Sequence, residues 1–485
     1  MALRIAAALG ILLVLALVGV LGWAWWDSRL PDTYNVMDYG SHDYGGAAEH
    51  GAHHAAAVSV ASLKGPQAGK PDVHFELMAR PTTIRLASGH EVDGLAFNDR
   101  SPGPELRVRQ GDLVEVRLRN EGVDGGVSIH WHGVDVPNAE DGVAGVTQDA
   151  VMPGGSYTYR FRAEQVGTFW YHTHQSSADE VRRGLFGPLV IEPQKPRGAV
   201  DVVALAHDFD GIQTLNGNER TTRLEVAAGS PVRLRLINTN NTPARFTVAG
   251  TPFRVVAIDG TELNEPQPLE NTRLILAGGG RYDIGFTMPS SPVGLGIEDT
   301  TAVLALSPDG RADAPPPTPG AEFDPAAYGR PAPTPFDARR HFDREFEFDI
   351  GRKPGFMDGK PGMHWTINGG IYPDVPVFVV DRGDLVKVTI ENNTDSVHPM
   401  HLHGHHALVL TRDEQPVSGS PWWTDTLSVE PNERYELAFR ADNPGLWMDH
   451  CHNLRHAEEG LTMHVAYSGV QTPFTIGGGA HNHPE

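Results

Sequence analysis

A pattern that recurs three times limits the fold of this chain more than any other feature. RVRQGDLVEVRLRN at 107–120, EVAAGSPVRLRLIN at 225–238 and VVDRGDLVKVTIEN at 379–392 share one layout. In each, a glycine (Gly111, Gly229, Gly383) precedes an asparagine (Asn120, Asn238, Asn392) by nine residues, with alternating apolar positions between. A second echo follows at Pro153-Gly-Gly-Ser-Tyr157, Gly278-Gly-Gly-Arg-Tyr282 and Pro431-Asn-Glu-Arg-Tyr435. Alternation punctuated by Gly, Pro and Asn marks antiparallel strands of a sandwich or barrel, and 485 residues exceed one hydrophobic core. The chain therefore reads as all-β, with three consecutive β-sandwich domains.

The single cysteine points to the chemistry. Cys451 lies in His450-Cys451-His452 and has no intrachain disulfide partner, so its value is packing or chemistry. Alternate residues of a strand face opposite ways. Cys451 would ligate a metal on one side of the strand while His450 and His452 bind metal on the other. Of 24 histidines, eight more form four separate His-x-His pairs. His130-Trp131-His132, His172-Thr173-His174 and His401-Leu402-His403 sit in apolar, strand-like context, whereas His481-Asn482-His483 lies in a polar tail. One such pair is ordinarily a hydrogen-bonded surface pair; four in strand context, one enclosing the only cysteine, argue against that bland reading. A thiolate with two imidazoles and a weak axial neighbour is the blue-copper arrangement, and Cys451, His398 and His456 supply it. The remaining eight histidines exceed the four ligands of a structural zinc and suit three further coppers with positions open to oxygen.

HWHG at 130–133, WYHTH at 170–174, HPMHLHG at 398–404 and HCHNLRHAEEGL at 450–461 together resemble the multicopper oxidase family, in its laccase-like, three-domain bacterial form. The resemblance spans roughly residues 73–470, with the motifs in family order and every ligand position filled. It implies cupredoxin-like Greek-key sandwiches and four copper ions per chain. His398, Cys451 and His456 would hold the type 1 copper, and His130 and His401 the type 2. His132, His172, His174, His403, His450 and His452 would hold the type 3 pair. The implied reaction couples four one-electron oxidations of a small reducing substrate to reduction of dioxygen to two waters. Between His174 and His398 the only histidines are His207, His341 and His364, all unpaired. The cluster is therefore expected between the first and third domains, each giving four of its eight histidines, with the second acting as spacer and cleft wall.

The resemblance also singles out residues around the metals. The type 1 axial position falls on Leu461, which cannot ligate and should raise the potential; Met463, two residues on, is the alternative if the register slips. Asp141 matches an acid that the family uses for proton delivery near the type 2 copper, and its plain alternative is a turn residue in Glu140-Asp141-Gly142. A second relay acid directly follows the last type 1 histidine in some relatives. Here that position is Ala457, followed by Glu458 and Glu459. His405 and His406 are not family ligands and read as structural residues, with a role behind the ligands as the alternative.

Composition places the remaining boundaries. The domains are expected over 73–195, 196–308 and 341–470, joined by a short 192–198 junction and a stiff proline-rich linker over 309–340. The Gly/His-rich end, 471–485, reads as a disordered tail. After Arg4, residues 5–26 carry no charge, enough to cross a bilayer as a helix, and Trp23, Trp25 and Trp26 crowd the distal end as interfacial anchors do. Residues 1–26 read as a transmembrane anchor rather than a cleaved signal segment, because Gly22-Trp23-Ala24 fits a cleavage site poorly. Residues 27–72 read as a flexible His/Gly-rich tether, in which His42, His50, His53 and His54 could capture copper, although a plain spacer is the simpler account. The oxidase would stand on the extracytoplasmic face of the membrane, or be secreted if the segment is cleaved, as a monomer.

A net charge of −22 argues against nucleic-acid binding. For substrate, phenols and aromatic amines are favoured, because Leu461 suits a high-potential centre and the ten methionines are scattered. A metallo-oxidase of Cu(I) or Fe(II) is the second reading, since thioethers select Cu(I). A redox-silent scaffold is the third, and the complete ligand set argues against it.

Overall fold

A computed structural model of the chain describes residues 2–47, 57–195, 198–318 and 320–485. Apart from one long N-terminal helix, Ala2–Asp27, and short helical turns such as Ser177–Glu180 and Leu454–Glu458, the described architecture is strands. They form three sandwiches in series: two four-stranded sheets, then six- and five-stranded sheets, then six- and seven-stranded sheets. The fold is cupredoxin-like throughout.

The repeat has a physical cause. Gly111, Gly229 and Gly383 all take positive φ, which a residue with Cβ resists, and they turn the chain into the strands Leu113–Asn120, Pro231–Asn238 and Leu385–Asn392. Each strand ends on a buried asparagine whose amide ties two segments together. Asn120 Nδ2 donates to Val123 O and Val151 O (both 2.8 Å), Asn238 Nδ2 to Leu276 O (3.0 Å), and Asn392 Nδ2 to Val429 O (2.9 Å). The second echo opens the antiparallel partner strand each time, pairing Tyr157 with Leu118, Tyr282 with Leu236 and Tyr435 with Ile390. Loss of such a clamp would leave buried carbonyls unpaired.

The expected disordered tail is corrected by the structure. Val470–Gln471 pairs with Val58–Ser59, and Ile476–Gly477 pairs with Thr33–Tyr34. Asn482 then accepts from Ala150 N (2.8 Å) and donates to Asp149 Oδ1 (2.9 Å). The polar composition is satisfied by partners far away in sequence. The tether is likewise part of the fold: Ser41–Asp43 adds an edge strand beside Pro376–Val380, and Val36 and Val60 are buried. His50, His53 and His54 lie outside the described residues. In the proline-rich segment Tyr328 and Phe336 are buried, so it packs on the body rather than standing off as a stiff exposed linker.

Candidate metal centre

Strand pairing brings the histidine motifs together. His130–His132 lies antiparallel to Gly167–His172, opposing His130 to His172 and His132 to Trp170. In the third domain His398–Leu402 lies between Leu446–Cys451 and Thr426–Val429, opposing His401 to His450 and Met400 to Cys451. Side chains on either side of the Leu446–Cys451 strand then build two different sites.

On the inner side Cys451 Sγ lies 3.6 Å from His398 Nδ1 and 3.7 Å from His456 Nδ1, and the two nitrogens are 3.2 Å apart. Burial, with His456 nearby, holds His398 down at about 3, and burial holds His456 down at about 4. Both rings are neutral and able to ligate. Burial pushes the Cys451 thiol up, so metal binding there must displace its proton. Thr394 Oγ1, 2.9 Å from His398 Nε2, and the Trp365 ring, 4.8 and 4.5 Å from the His398 and His456 rings, fix the imidazoles from behind. Leu461, fully buried, sits across from Cys451: Cys451 N donates to Leu461 O (3.0 Å), while Met463 pairs with Asp449, two residues away. The register therefore sets leucine, not methionine, against the thiol.

On the other side eight buried histidines converge between the first and third domains. His132, His172 and His452 offer one set of mutually close ligand atoms, His174, His403 and His450 another, and His130 and His401 a third with His132. Except in His452, one nitrogen of each ring is committed to a protein oxygen. His130 Nδ1 sits 3.1 Å from Asp141 Oδ1, His403 Nδ1 3.0 Å from Asp141 Oδ2, His401 Nδ1 2.9 Å from Asp425 O, and His172 Nδ1 2.8 Å from Thr173 O. A neutral imidazole that donates through one nitrogen presents a bare lone pair at the other. Two such lone pairs face each other at 3.3 Å between His130 Nε2 and His401 Nε2, and the Nε2 atoms of His403 and His450 lie 3.2 Å apart. His132 Nδ1, His172 Nε2, His174 Nε2 and both nitrogens of His452 are buried with no partner. Burial holds these rings well below their ordinary pKa, hence neutral. Opposed and orphaned lone pairs in a buried pocket are what metal cations resolve, so the residues fit copper.

Several residues behind the ligands escaped sequence reasoning. Asp425 lies 3.3 Å from His132 Nε2 through Oδ1, and Thr426 Oγ1 lies 2.9 Å from the same nitrogen. Its carboxylate takes a two-pronged bond from Arg281, Nη1 to Oδ1 and Nη2 to Oδ2, both 2.6 Å. Arg281 also donates from Nε to Thr168 O (3.1 Å) and lies 3.3 Å from Asp259 Oδ1. One fully buried guanidinium thus touches all three domains. The second domain, expected to serve as spacer, supports the cluster directly. A side chain at Gly133 of HWHG would collide with Arg281 and Asp425, which explains the glycine in that motif. His406 belongs to the same network, 3.2 Å from Asp135 Oδ1 and 3.2 Å from Asp425 Oδ2. Burial alone would lower it, but the two carboxylates prevail and hold it protonated well above its ordinary pKa. His405 instead hydrogen-bonds Tyr467 Oη at 2.7 Å. The tail completes the enclosure: Pro484 O lies 2.9 Å from His174 Nδ1, and Glu485 Oε1 lies 3.2 Å from His450 Nδ1. Of the candidate second relay acids, Glu459 accepts from Trp365 Nε1 (3.1 Å) and Glu458 is exposed.

Known proteins resemble this chain. Three multicopper oxidase family models match residues 79–196, 193–294 and 347–469. The chain is 28% identical over 486 residues to the multicopper oxidase MmcO of Mycobacterium tuberculosis, covering 85% of this chain and 90% of that one. Laccase-1 of Botryotinia fuckeliana is 26% identical over 478 residues, with 84% of each chain covered. A solved multi-copper oxidase from Pseudomonas thermotolerans superposes with a TM-score of 0.65 and 32% identity, over 81% of this chain and 99% of that one. This chain belongs to the multicopper oxidase family. It is an oxidoreductase that uses oxygen, and copper is the metal its histidine clusters serve.

Proposed function

We propose that the protein is a membrane-anchored, monomeric, laccase-type oxidase that takes four electrons, one at a time, from phenols or aromatic amines and reduces dioxygen to two waters. The observation that carries this reading is the His450-Cys451-His452 strand, which joins a thiol-containing site to an eight-histidine cluster through single peptide links. In this reading four coppers are held: type 1 by His398, Cys451 and His456, type 2 by His130 and His401, and the type 3 pair by His132, His172 and His452 with His174, His403 and His450. Bound copper supplies the one-electron chemistry and the site for oxygen. The chain's own residues hold the imidazoles in fixed tautomers, exclude water from the cluster and present the part-exposed His456, beside the buried His398, to the donor. Arg352, whose guanidinium lies 4.7 Å over the Trp365 ring, and Glu459, which accepts from Trp365 Nε1, place opposite charges beside those histidines, so no concentrated negative charge there draws a metal cation. Oxygen uptake with a phenol, Cu(I) and Fe(II) tested separately decides the donor; turnover confined to a metal ion would overturn this reading.

Asp141 is proposed to supply protons, being shared between the imidazoles of His130 and His403. Asp141→Asn should weaken retention of the type 2 copper by about 10–100-fold and alter the pH profile of oxygen reduction. Copper content after dialysis and the rate–pH curve check this. Leu461→Met should add a weak axial thioether and lower the type 1 potential, read by redox titration of the visible absorption. The anchor reading rests on Arg4–Asp27, a 24-residue apolar span with none of its surface buried in the protein. Deleting residues 1–26 should move the oxidase from the membrane fraction to the soluble one.

A further inference from the structure

The residues that directly follow the N-terminal helix are hydrogen-bonded to a hairpin that leads to the thiol site. The strands Arg344–Met357 and Lys360–Ile367 form that hairpin, turning at Asp358 and Gly359, both at positive φ. At its tip Asp358 Oδ1 accepts from Leu30 N (3.2 Å) and Gly359 N donates to Ser28 Oγ (3.2 Å). Near its base Trp365 packs against both His398 and His456. Six residues separate Gly359 from Trp365, so the thiol site lies roughly 20 Å from the end of the membrane span. Among the described residues, the large apolar side chains left exposed are on the helix itself, with Val58 and Met363 the only others, and Met363 is on this hairpin.

A cavity of about 550 Å³, within the size range of small-molecule pockets, lies between the segment that follows the helix and this hairpin on one side and residues 176–179 and 483–485 on the other. Leu30 and Tyr34 line it beside the helix, Met357 and Tyr372 along the hairpin side, and Gly460 where the His456–Leu461 loop closes. Its polar features suit a neutral hydroxyl. Tyr34 Oη and Tyr372 Oη are 3.0 Å apart, and His464, which also lines the cavity, is buried with Nε2 lacking any partner. Burial holds that imidazole down at about 4, so it stays uncharged. The lining contains carboxylates but no lysine or arginine, which disfavours fatty acids and phospholipid headgroups. Its acids and its two imidazoles, His464 and His483, are not among the described clusters that could hold a metal ion, which disfavours a metal cargo.

We propose that this cavity binds the head of a membrane-dissolved hydroquinone carrying an apolar tail, which reaches the thiol site laterally from the bilayer. The inference rests on the oxidase reading above and names the donor class for it. Each hydroquinone gives up two protons and two electrons, the electrons one at a time, and becomes a quinone. Two hydroquinones supply the four electrons and four protons that convert one dioxygen to two waters. The tyrosine pair and His464 hydrogen-bond the ring hydroxyls, while the tail extends past Leu30 into lipid.

The test uses the full-length copper-loaded protein in lipid nanodiscs and an oxidised, photoreactive azidoquinone with a long alkyl tail, so that labelling needs no turnover. The expected label falls on peptides containing Tyr34, Met357 or Tyr372, and is displaced by the unlabelled tailed quinone but not by its tail-less counterpart. Filling the cavity with Met357→Trp should cut this labelling at least about tenfold, and Tyr372→Phe should weaken it without a change in cavity shape. Label confined to residues 4–27, labelling indifferent to Met357→Trp, or displacement by Cu(I) rather than quinone would each overturn the proposal. Oxygen uptake with a water-soluble phenol on the same preparation separates the two readings: uptake without cavity labelling removes only the hydroquinone site, and absence of uptake removes the oxidase itself.

Discussion

Cys451→Ser should abolish the intense visible absorption of the copper-loaded protein and drop its oxidase activity to background while leaving the eight-histidine cluster metallated. The reason is the division of labour along one strand. Cys451 is the only thiol in the chain, and a hydroxyl in its place would offer neither the charge-transfer band nor the same affinity for copper. His450 and His452 point away from it, into sets formed with His174 and His403 and with His132 and His172. Total copper should therefore fall from four ions per chain towards three, read by elemental analysis alongside the spectrum. Retention of the band would mean that the thiol is not a ligand.

Arg281→Met should destabilise the protein by about 3–5 kcal/mol, the cost of leaving buried carboxylates without their counter-charge. Asp425 and Asp259 both face this guanidinium. Burial would raise the Asp425 carboxyl, but Arg281 holds it well below its usual range; Asp259, where burial prevails, is raised to about 6. Without Arg281, Asp425 loses the partner that keeps it charged and aimed at His132 and His401. The type 2 copper signal in electron paramagnetic resonance should weaken together with the denaturation midpoint. Arg281→Lys keeps one charge but cannot reproduce the two-pronged bond, and should fall between wild type and Arg281→Met. A methionine variant with unchanged stability and unchanged type 2 signal would show that the network is incidental.

The clustering of the histidines and Cys451 was legible because its signal is local. His-x-His on a strand sets two imidazoles on one face whatever the rest of the chain does, and the placement of Cys451 between two of them follows from the same alternation. Leu461 was legible for the same reason, since register across two neighbouring strands sets it opposite Cys451. Arg281, Asp259 and Asp425 were not. They are single charged residues more than a hundred positions apart where Arg281 meets Asp425, and nothing in their neighbours distinguishes a buried guanidinium from a surface one. Arg281 did stand in a repeat, but its counterpart Arg434 is only part-buried at a strand start, so the repeat reported architecture rather than chemistry. The tail misled for a related reason: Gly, His and Asn suggest disorder only until distant partners such as Thr33, Ala150 and His174 supply the hydrogen bonds.

The central claim is that one thiol-containing site feeds electrons singly into a buried cluster that releases only water. The most direct test is the stoichiometry of oxygen uptake by the copper-loaded protein with a phenol donor, with hydrogen peroxide assayed in parallel. The account predicts one dioxygen consumed per four phenol molecules oxidised by one electron each, and no peroxide. Two phenols per dioxygen with peroxide accumulating, or no uptake at all, would contradict it.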